Sequence, residues 1–323
     1  MDAVRTQDVP QAAELERYRR ELTGYCYRML GSAYEAEDAV QNTMLRAWRA
    51  LPRFDDHAGL RPWLYRIATN VCIDMLNGRS RRALPMDVAR VGTSQGELID
   101  RRPGSAWIEP APDSLVLPEF DDPAERAVAR ESVRLAFIAA LQRLAPRQRA
   151  VLILRDVLHW RAAEVATLLE TTTDSVNSSL RRARAALEPI DRDSTPSEPS
   201  DDHRTLLAAY VDAFDRQDID ALVALLREDA IVEMPPFELW LRGVADIRDW
   251  LIAHDALRDH RLIPVRANGA PAAAVYVPGA PGGPPTAFAL HVLDVVDGRI
   301  AAIRSFIDPE LFPRFGLPLE HVS

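Results

Sequence analysis

The chain has 323 residues and a mass of 36.1 kDa, which points to two or three domains rather than one. Charged residues at 27% and hydrophobic residues at 47% exclude an intrinsically disordered chain, and two cysteines, Cys26 and Cys72, are too few for a disulfide scaffold or a cysteine-rich zinc site. No apolar run is long enough to span a bilayer and the N-terminus has no apolar signal core, so a cytoplasmic location without membrane attachment is expected; the net charge of −9 is uneven enough that nucleic-acid binding stays open.

Residues 14–83 carry apolar residues at helical spacing: Leu15, Tyr18, Leu22, Tyr25, Cys26 and Met29, then Ala39, Val40, Met44, Leu45 and Trp48. A further helix over about Leu60 to Arg79 presents Trp63, Leu64, Ile67, Val71 and Leu76 on one side. Trp48 and Trp63 read as core residues, and Cys72 as a small buried hydrophobe. Residues 1–83 hold 13 Arg against 11 carboxylates, whereas 84–125 hold 3 against 9 and lose all periodicity, so 84–125 reads as an acidic interdomain linker. Trp107 and Ile108 in its middle are expected to dock on a neighbour, because flexible linkers seldom contain a tryptophan.

Helical periodicity returns over 126–188, where 11 Arg face 6 carboxylates. Every one of the 39 basic residues in the chain is Arg, which a GC-rich coding bias explains as well as phosphate recognition does. Three helices are expected here: one opening at Pro146, one over Trp160 to Leu169, and one over about Thr173 to Leu187 that buries Val176, Leu180, Ala183 and Leu187. That layout is a helix-turn-helix, whose last helix offers Thr173, Asp174, Ser175, Asn177, Ser178, Arg181 and Arg182 to DNA. The plainer alternative is a three-helix bundle with a solvated arginine face. Glu170 sits in the turn, where glycine would adopt a left-handed conformation more easily.

A second linker, 189–203, is rich in Asp, Ser, Pro and Glu. Residues 204–320 open with amphipathic helices (Leu206, Leu207, Tyr210, Val211, Phe214, then Leu222, Leu225, Leu226). They close with strand-like runs over Ala273–Val277, Phe288–Val296 and Ile300–Ile307, with a turn at Asp297-Gly298. Helices followed by a curved antiparallel sheet make an α+β domain.

Two resemblances now carry names. The run Tyr34-Glu35-Ala36-Glu37-Asp38-Ala39-Val40-Gln41-Asn42-Thr43-Met44-Leu45-Arg46-Ala47-Trp48, continued by Leu60-Arg61-Pro62-Trp63-Leu64-Tyr65-Arg66-Ile67-Ala68-Thr69-Asn70, resembles the second domain of bacterial sigma factors. Residues 144–187 resemble their fourth domain, with no third between, as in extracytoplasmic-function sigma factors. The C-terminal part is similar to the SnoaL-like family of the nuclear-transport-factor-like cone fold. That likeness rests on Ala209–Phe214, Asp218–Leu222, Glu228–Pro236, Trp240–Gly243 and Phe306–Pro309, and such fusions are found in the SigG and SigJ types. The expected fold is therefore multidomain: two all-α sigma domains, the second with a helix-turn-helix, and an α+β cone.

The resemblance implies promoter-directed initiation, with RNA polymerase core and promoter DNA as partners. Asp38, Gln41, Asn42, Leu45 and Arg46 would meet the clamp helices of the largest polymerase subunit. Arg61, Arg66, Asn70, Arg79, Arg81 and Arg82, with the loop from Phe54 to Leu60, would serve the −10 element. Thr173, Ser175, Asn177, Ser178, Arg181 and Arg182 would serve the −35 element. The linker would thread the channel that later carries RNA. In the cone, Tyr210, Trp240, His291 and Asp308 would line an apolar pocket. No nucleophile–base pair or metal-ligand cluster is legible, and His254 and His260 lie six apart, the wrong spacing for one helix face. The cone therefore reads as regulatory rather than enzymatic, contacting the sigma domains or a ligand, with no cofactor or metal. Two rivals remain: a conventional helix-turn-helix regulator, and an isomerase or hydrolase carried on a DNA-binding platform.

Overall fold

The computed structural model describes residues 12–54, 59–118, 122–187 and 201–321. The second linker, over 189–203, lies outside them except for its last three residues, and the loop after Phe54 lies outside them over 55–58.

The first helical unit comprises α1 (Ala12–Glu16), α2 (Arg19–Leu30), α3 (Ala33–Ala50) and α4 (Leu60–Leu76). Most of its periodic residues are buried: Leu22, Tyr25, Cys26, Met29, Val40, Leu64 and Val71, and so is Cys72. Gly31 ends α2 in the left-handed conformation with its N–H on the Tyr27 carbonyl, and Ser32 caps α3 by accepting from the Glu35 N–H at 3.1 Å. Trp63 is half-buried against Phe54. Trp48, expected in the core, is 61% exposed: it follows the outward face of α3.

Short helices α5 (Pro85–Val88) and α6 (Asp113–Val116) punctuate the acidic segment. Within the described part of the segment, Trp107 and Ile108 are buried. A second helical unit follows: α7 (Pro123–Glu131), α8 (Leu135–Gln142), α9 (Pro146–Leu152) continued by a π turn over Ile153–Val157, α10 (Ala162–Leu168) and α11 (Thr173–Leu187). Glu170 does take the left-handed conformation, at φ 52°.

The C-terminal unit packs α12 (Asp201–Asp215), α13 (Ile219–Ala224) and α14 (Val244–Ala253) on a six-stranded sheet. Its strands are β1 (Leu226–Glu233), β2 (Trp240–Arg242), β3 (Arg261–Ala267), β4 (Ala270–Val277), β5 (Thr286–Val296) and β6 (Arg299–Phe306), in the order β2-β1-β6-β5-β4-β3. The antiparallel expectation needs one correction: β1 runs parallel to β6, with Val232 opposite Ile303. Leu226 begins a strand instead of ending a helix. The Asn268-Gly269 and Asp297-Gly298 hairpin turns both place two residues at positive φ, the geometry that matches strand twist.

Both faces of this sheet are apolar. Ala273, Val275, Ala289, Leu293 and Ile303 pack toward the helices of their own unit. Ala272, Ala274, Tyr276, Leu290 and Val292 instead belong to a core that runs on into both helical units. That is why β4 is buried almost throughout instead of alternating.

Candidate nucleic-acid interface and cone cavity

On α3, Gln41, Asn42, Leu45 and Arg46 are exposed and Asp38 half-buried; Arg46 pairs with Asp74 at 3.4 Å. Trp48 extends this stripe by one helical step and Tyr34 (58% exposed) precedes it. Sequence reasoning assigned neither residue to the stripe, because tryptophan at helical spacing more often marks a core.

The six residues expected near the −10 element separate into three groups. Asn70 and Arg81 are exposed. Arg61 pairs with Glu21 and lies over the Tyr65 and Trp160 rings, Arg66 meets Glu170 at 3.6 Å, and Arg79 pairs with Glu35. Arg82 is corrected outright. It is buried, donating to the carbonyls of Trp107 (2.5 Å) and Gly104 (3.2 Å) and pairing with Glu35 at 3.1 Å, so it anchors the acidic segment instead of facing phosphate.

On α11 the expected readers lie along the open face. Thr173, Ser175, Asn177, Arg181 and Arg182 are exposed and Ser178 half-buried, while Val176, Leu180 and Ala183 hold the helix to its core. This is the arrangement in which amide and hydroxyl groups meet base edges and later arginines meet phosphates.

The two helical units are locked together. Arg28 is buried and bonds Ser132 at 2.7 Å, and Arg149 reaches the Met29 carbonyl together with those of Gln142 and Leu144. Burial pulls both guanidinium pKa values down to about 10. Tyr65 and Trp160 rings meet at 5.0 Å.

The cone enters the same junction through its β3–β4 turn. Asn268 is fully buried. Its Oδ1 accepts from the Ala111 N–H at 2.9 Å, and its Nδ2 donates to the Tyr27 hydroxyl at 2.7 Å and the Val133 carbonyl at 2.6 Å. The Gly269 N–H donates to Asp113 at 2.7 Å, and a Cβ at Gly269 would lie 3.0 Å from the Arg130 carbonyl. One turn thus touches both helical units and the segment between them. Elsewhere Glu233, Arg304, Asp294 and Arg134 form a chain of ion pairs from the sheet to the second helical unit, and Glu233 also accepts from the Met86 N–H. Burial raises the Glu233 carboxyl pKa, and the adjacent Arg304 opposes that rise. Arg314, in the 3-10 segment Pro309–Phe315, pairs with Glu37 and lies 5.0 Å over Tyr34, at the start of the α3 stripe.

Inside the cone a cavity of about 270 Å³ is lined by Tyr210, Phe214, Trp250, Phe288, His291 and Ile303, among others. Tyr210 and His291 are both among its lining residues, 2.8 Å apart through the hydroxyl and Nδ1. Trp240 and Asp308 do not line it. The Trp240 indole donates to the Ala89 carbonyl at 3.0 Å, and Asp308 caps the following 3-10 segment by accepting from the Glu310 N–H. Desolvation raises the Tyr210 pKa and, helped by His260, lowers that of His291 to about 3, so the ring is neutral near pH 7. Among the described residues no group of three or more His, Cys, Asp or Glu could hold a metal ion, and no helix is long and apolar enough to cross a membrane.

His291 makes the cone acid-sensitive. Its native pKa lies below the ordinary 6.5, so its contribution to stability is complete above pH 6.5 and is lost as pH falls toward 3. Stability against thermal unfolding is expected to fall, as pH is lowered across that window, by up to about 1.4 kcal/mol per pH unit from this group. His291→Gln, which keeps an acceptor for the Tyr210 hydroxyl, should flatten that slope; an unchanged slope would place the sensitivity elsewhere.

Two helical units, one with a helix-turn-helix, and a cone define a DNA-binding transcription protein with an appended domain. Residues 15–82 match the model of sigma-70 region 2, 134–187 that of sigma-70 region 4, and 207–303 that of the SnoaL-like domain. The chain is 48% identical to the extracytoplasmic-function RNA polymerase sigma factor SigG of Mycobacterium tuberculosis, over 95% of this chain and 84% of that one. The sigma factor SigW of Bacillus subtilis is 29% identical over 54% of this chain and 86% of its own. The crystal structure of SigJ from Mycobacterium tuberculosis shares the fold, with a TM-score of 0.61 at 24% identity, covering 96% of this chain and 100% of that chain. The chain belongs to the extracytoplasmic-function RNA polymerase sigma factors.

Proposed function

We propose that the chain docks on RNA polymerase core through the α3 stripe, engages the −10 element with α4 and its exposed Asn70 and Arg81, and reads the −35 element with α11. In this division of labour residues 14–83 bind core and open DNA, 126–188 read the upstream element, and 204–320 regulate both in cis, within the cytoplasm. The observation that carries the reading is the α11 face: a packed helix-turn-helix whose open side holds Thr173, Ser175, Asn177 and two arginines. Cis regulation is supported by the cone's grip on the junction through Asn268 and by Arg314 beside the α3 stripe.

We read the cone as non-catalytic. Tyr210 stays protonated and His291 neutral, and the two are hydrogen-bonded to each other, so neither is set up as a general acid or base near pH 7.

Promoter-directed transcription by purified core plus the full chain tests the reading; no initiation together with no core binding would leave a plain DNA-binding regulator. Within it, removing Arg181 and Arg182 is expected to weaken promoter binding at every sequence. The slope of log affinity against log salt should drop by roughly two, about 0.9 for each phosphate no longer neutralised. An unchanged salt slope would remove both residues from the interface.

A further inference from the structure

The cone cavity has a lid that does not come from the cone. Among the described residues that line it, Leu98 alone belongs to the acidic segment between the two helical units. Leu98 is held there by a row of bonds along its own stretch of chain. The Trp240 indole donates to Ala89, Gly92 N–H donates to Trp240 at 2.8 Å, and the Trp250 indole donates to Gly96 at 2.9 Å. Glu238 N–H donates to Asp100 and Arg102 N–H to Pro236, each at 3.0 Å. The fit is close: a Cβ at Gly92 or Gly96 would lie 2.5 or 2.6 Å from the Leu239 side chain. The strap from Ala89 to Arg102 is thus zipped across the cone mouth, with Leu98 against its apolar core.

Beneath the strap the polar lining is Tyr210, His291, His260, His254, Asp255 and Ser305. The Tyr210 hydroxyl and His291 Nδ1 are hydrogen-bonded to each other at 2.8 Å, which either atom can donate, so between them the pair keeps one further polar atom for a ligand. The cavity therefore offers a small set of hydrogen-bonding groups set in aromatic and aliphatic walls.

We propose that the cavity binds a small, mostly apolar molecule bearing one hydrogen-bonding oxygen, and that such a ligand displaces Leu98 and so loosens the strap that joins the two DNA-reading units. This inference rests on the reading that the cone acts on the sigma domains in cis. It gives that action a chemical input and a physical route: the strap also carries Arg102 and runs on to Trp107, which holds Arg82 at the end of the first helical unit.

The test uses the full chain, with 2-naphthol as probe and naphthalene as its oxygen-free control, followed by probe fluorescence. Roughly tenfold tighter binding of 2-naphthol is expected, and the preference should vanish in His291→Phe. Leu98→Ala should tighten 2-naphthol binding by about tenfold, because the lid no longer competes. Saturating 2-naphthol should speed tryptic cleavage after Arg90 and Arg101, at the two ends of the strap, on the order of tenfold. Failure of both compounds to bind either the wild-type chain or Leu98→Ala overturns the proposal, and so does binding that leaves cleavage unchanged. Transcription with polymerase core separates the two levels. A chain that initiates at a rate unaffected by bound 2-naphthol sinks this proposal alone, whereas a chain that neither binds core nor initiates sinks the sigma-factor reading.

Discussion

Asn268→Gly is expected to destabilise the chain by about 3 kcal/mol while leaving the β3–β4 turn intact. Glycine accepts the positive φ of this position, so the substitution removes the side chain without straining the backbone. What disappears is a set of buried bonds. The Ala111 N–H and the Val133 carbonyl are left without the partners they have in the native chain, and each such group costs about 1–3 kcal/mol. Tyr27 is less affected, because its hydroxyl also donates to the Glu109 carbonyl at 2.8 Å. Calorimetry should show the C-terminal unit melting earlier, and hydrogen exchange at the Ala111 amide should accelerate. A melting profile within about 0.5 kcal/mol of the wild type, on the usual scale of a neutral surface change, would show that the turn is not a latch.

Trp48→Ala is expected to weaken association with polymerase core by about 2 kcal/mol, or roughly thirtyfold, with no loss of thermal stability. The residue is 61% exposed, so the fold gains little from it, while it stands in line with Leu45 and with the polar residues of the α3 stripe. An exposed tryptophan beside an exposed leucine is the composition of an interface anchor. A drop in melting temperature with unchanged core affinity would return Trp48 to a structural role. Leu45→Ala measured in parallel guards against reading one residue in isolation.

The helices and the helix-turn-helix were legible because a 3.6-residue period survives in sequence whenever one face is buried, as Val176, Leu180 and Ala183 show on α11. The closing strands were legible as short apolar runs bounded by turn residues, since with both faces of the sheet covered they do not alternate. The edges were not. β3 carries Pro264 and two arginines, marks of an edge strand that also read as loop, and β2 has only three residues. Arg82 looked like the solvated end of a helix, yet its carbonyl partners lie 22 and 25 residues further on. The acidic segment lost its period because its partners are scattered over the cone, from Glu233 to Gly269, and no local pattern records an interaction made at such distance. Tyr210 and His291 were found by residue type; Leu98, which shares their cavity, had nothing but its place in the fold to reveal it.

The latch at Asn268 recognises peptide groups more than side chains: Ala111 through both its N–H and its carbonyl, and Val133 through its carbonyl. Main-chain atoms are the same whatever residue carries them. Substitutions at 111 and 133 that preserve the local backbone therefore leave the lock unchanged, and the surfaces that read promoters can diverge without renegotiating their attachment to the cone. A cone grafted between relatives should dock wherever the Asn-Gly turn and this backbone path are retained, which makes the fusion an exchangeable part despite the depth at which it is buried.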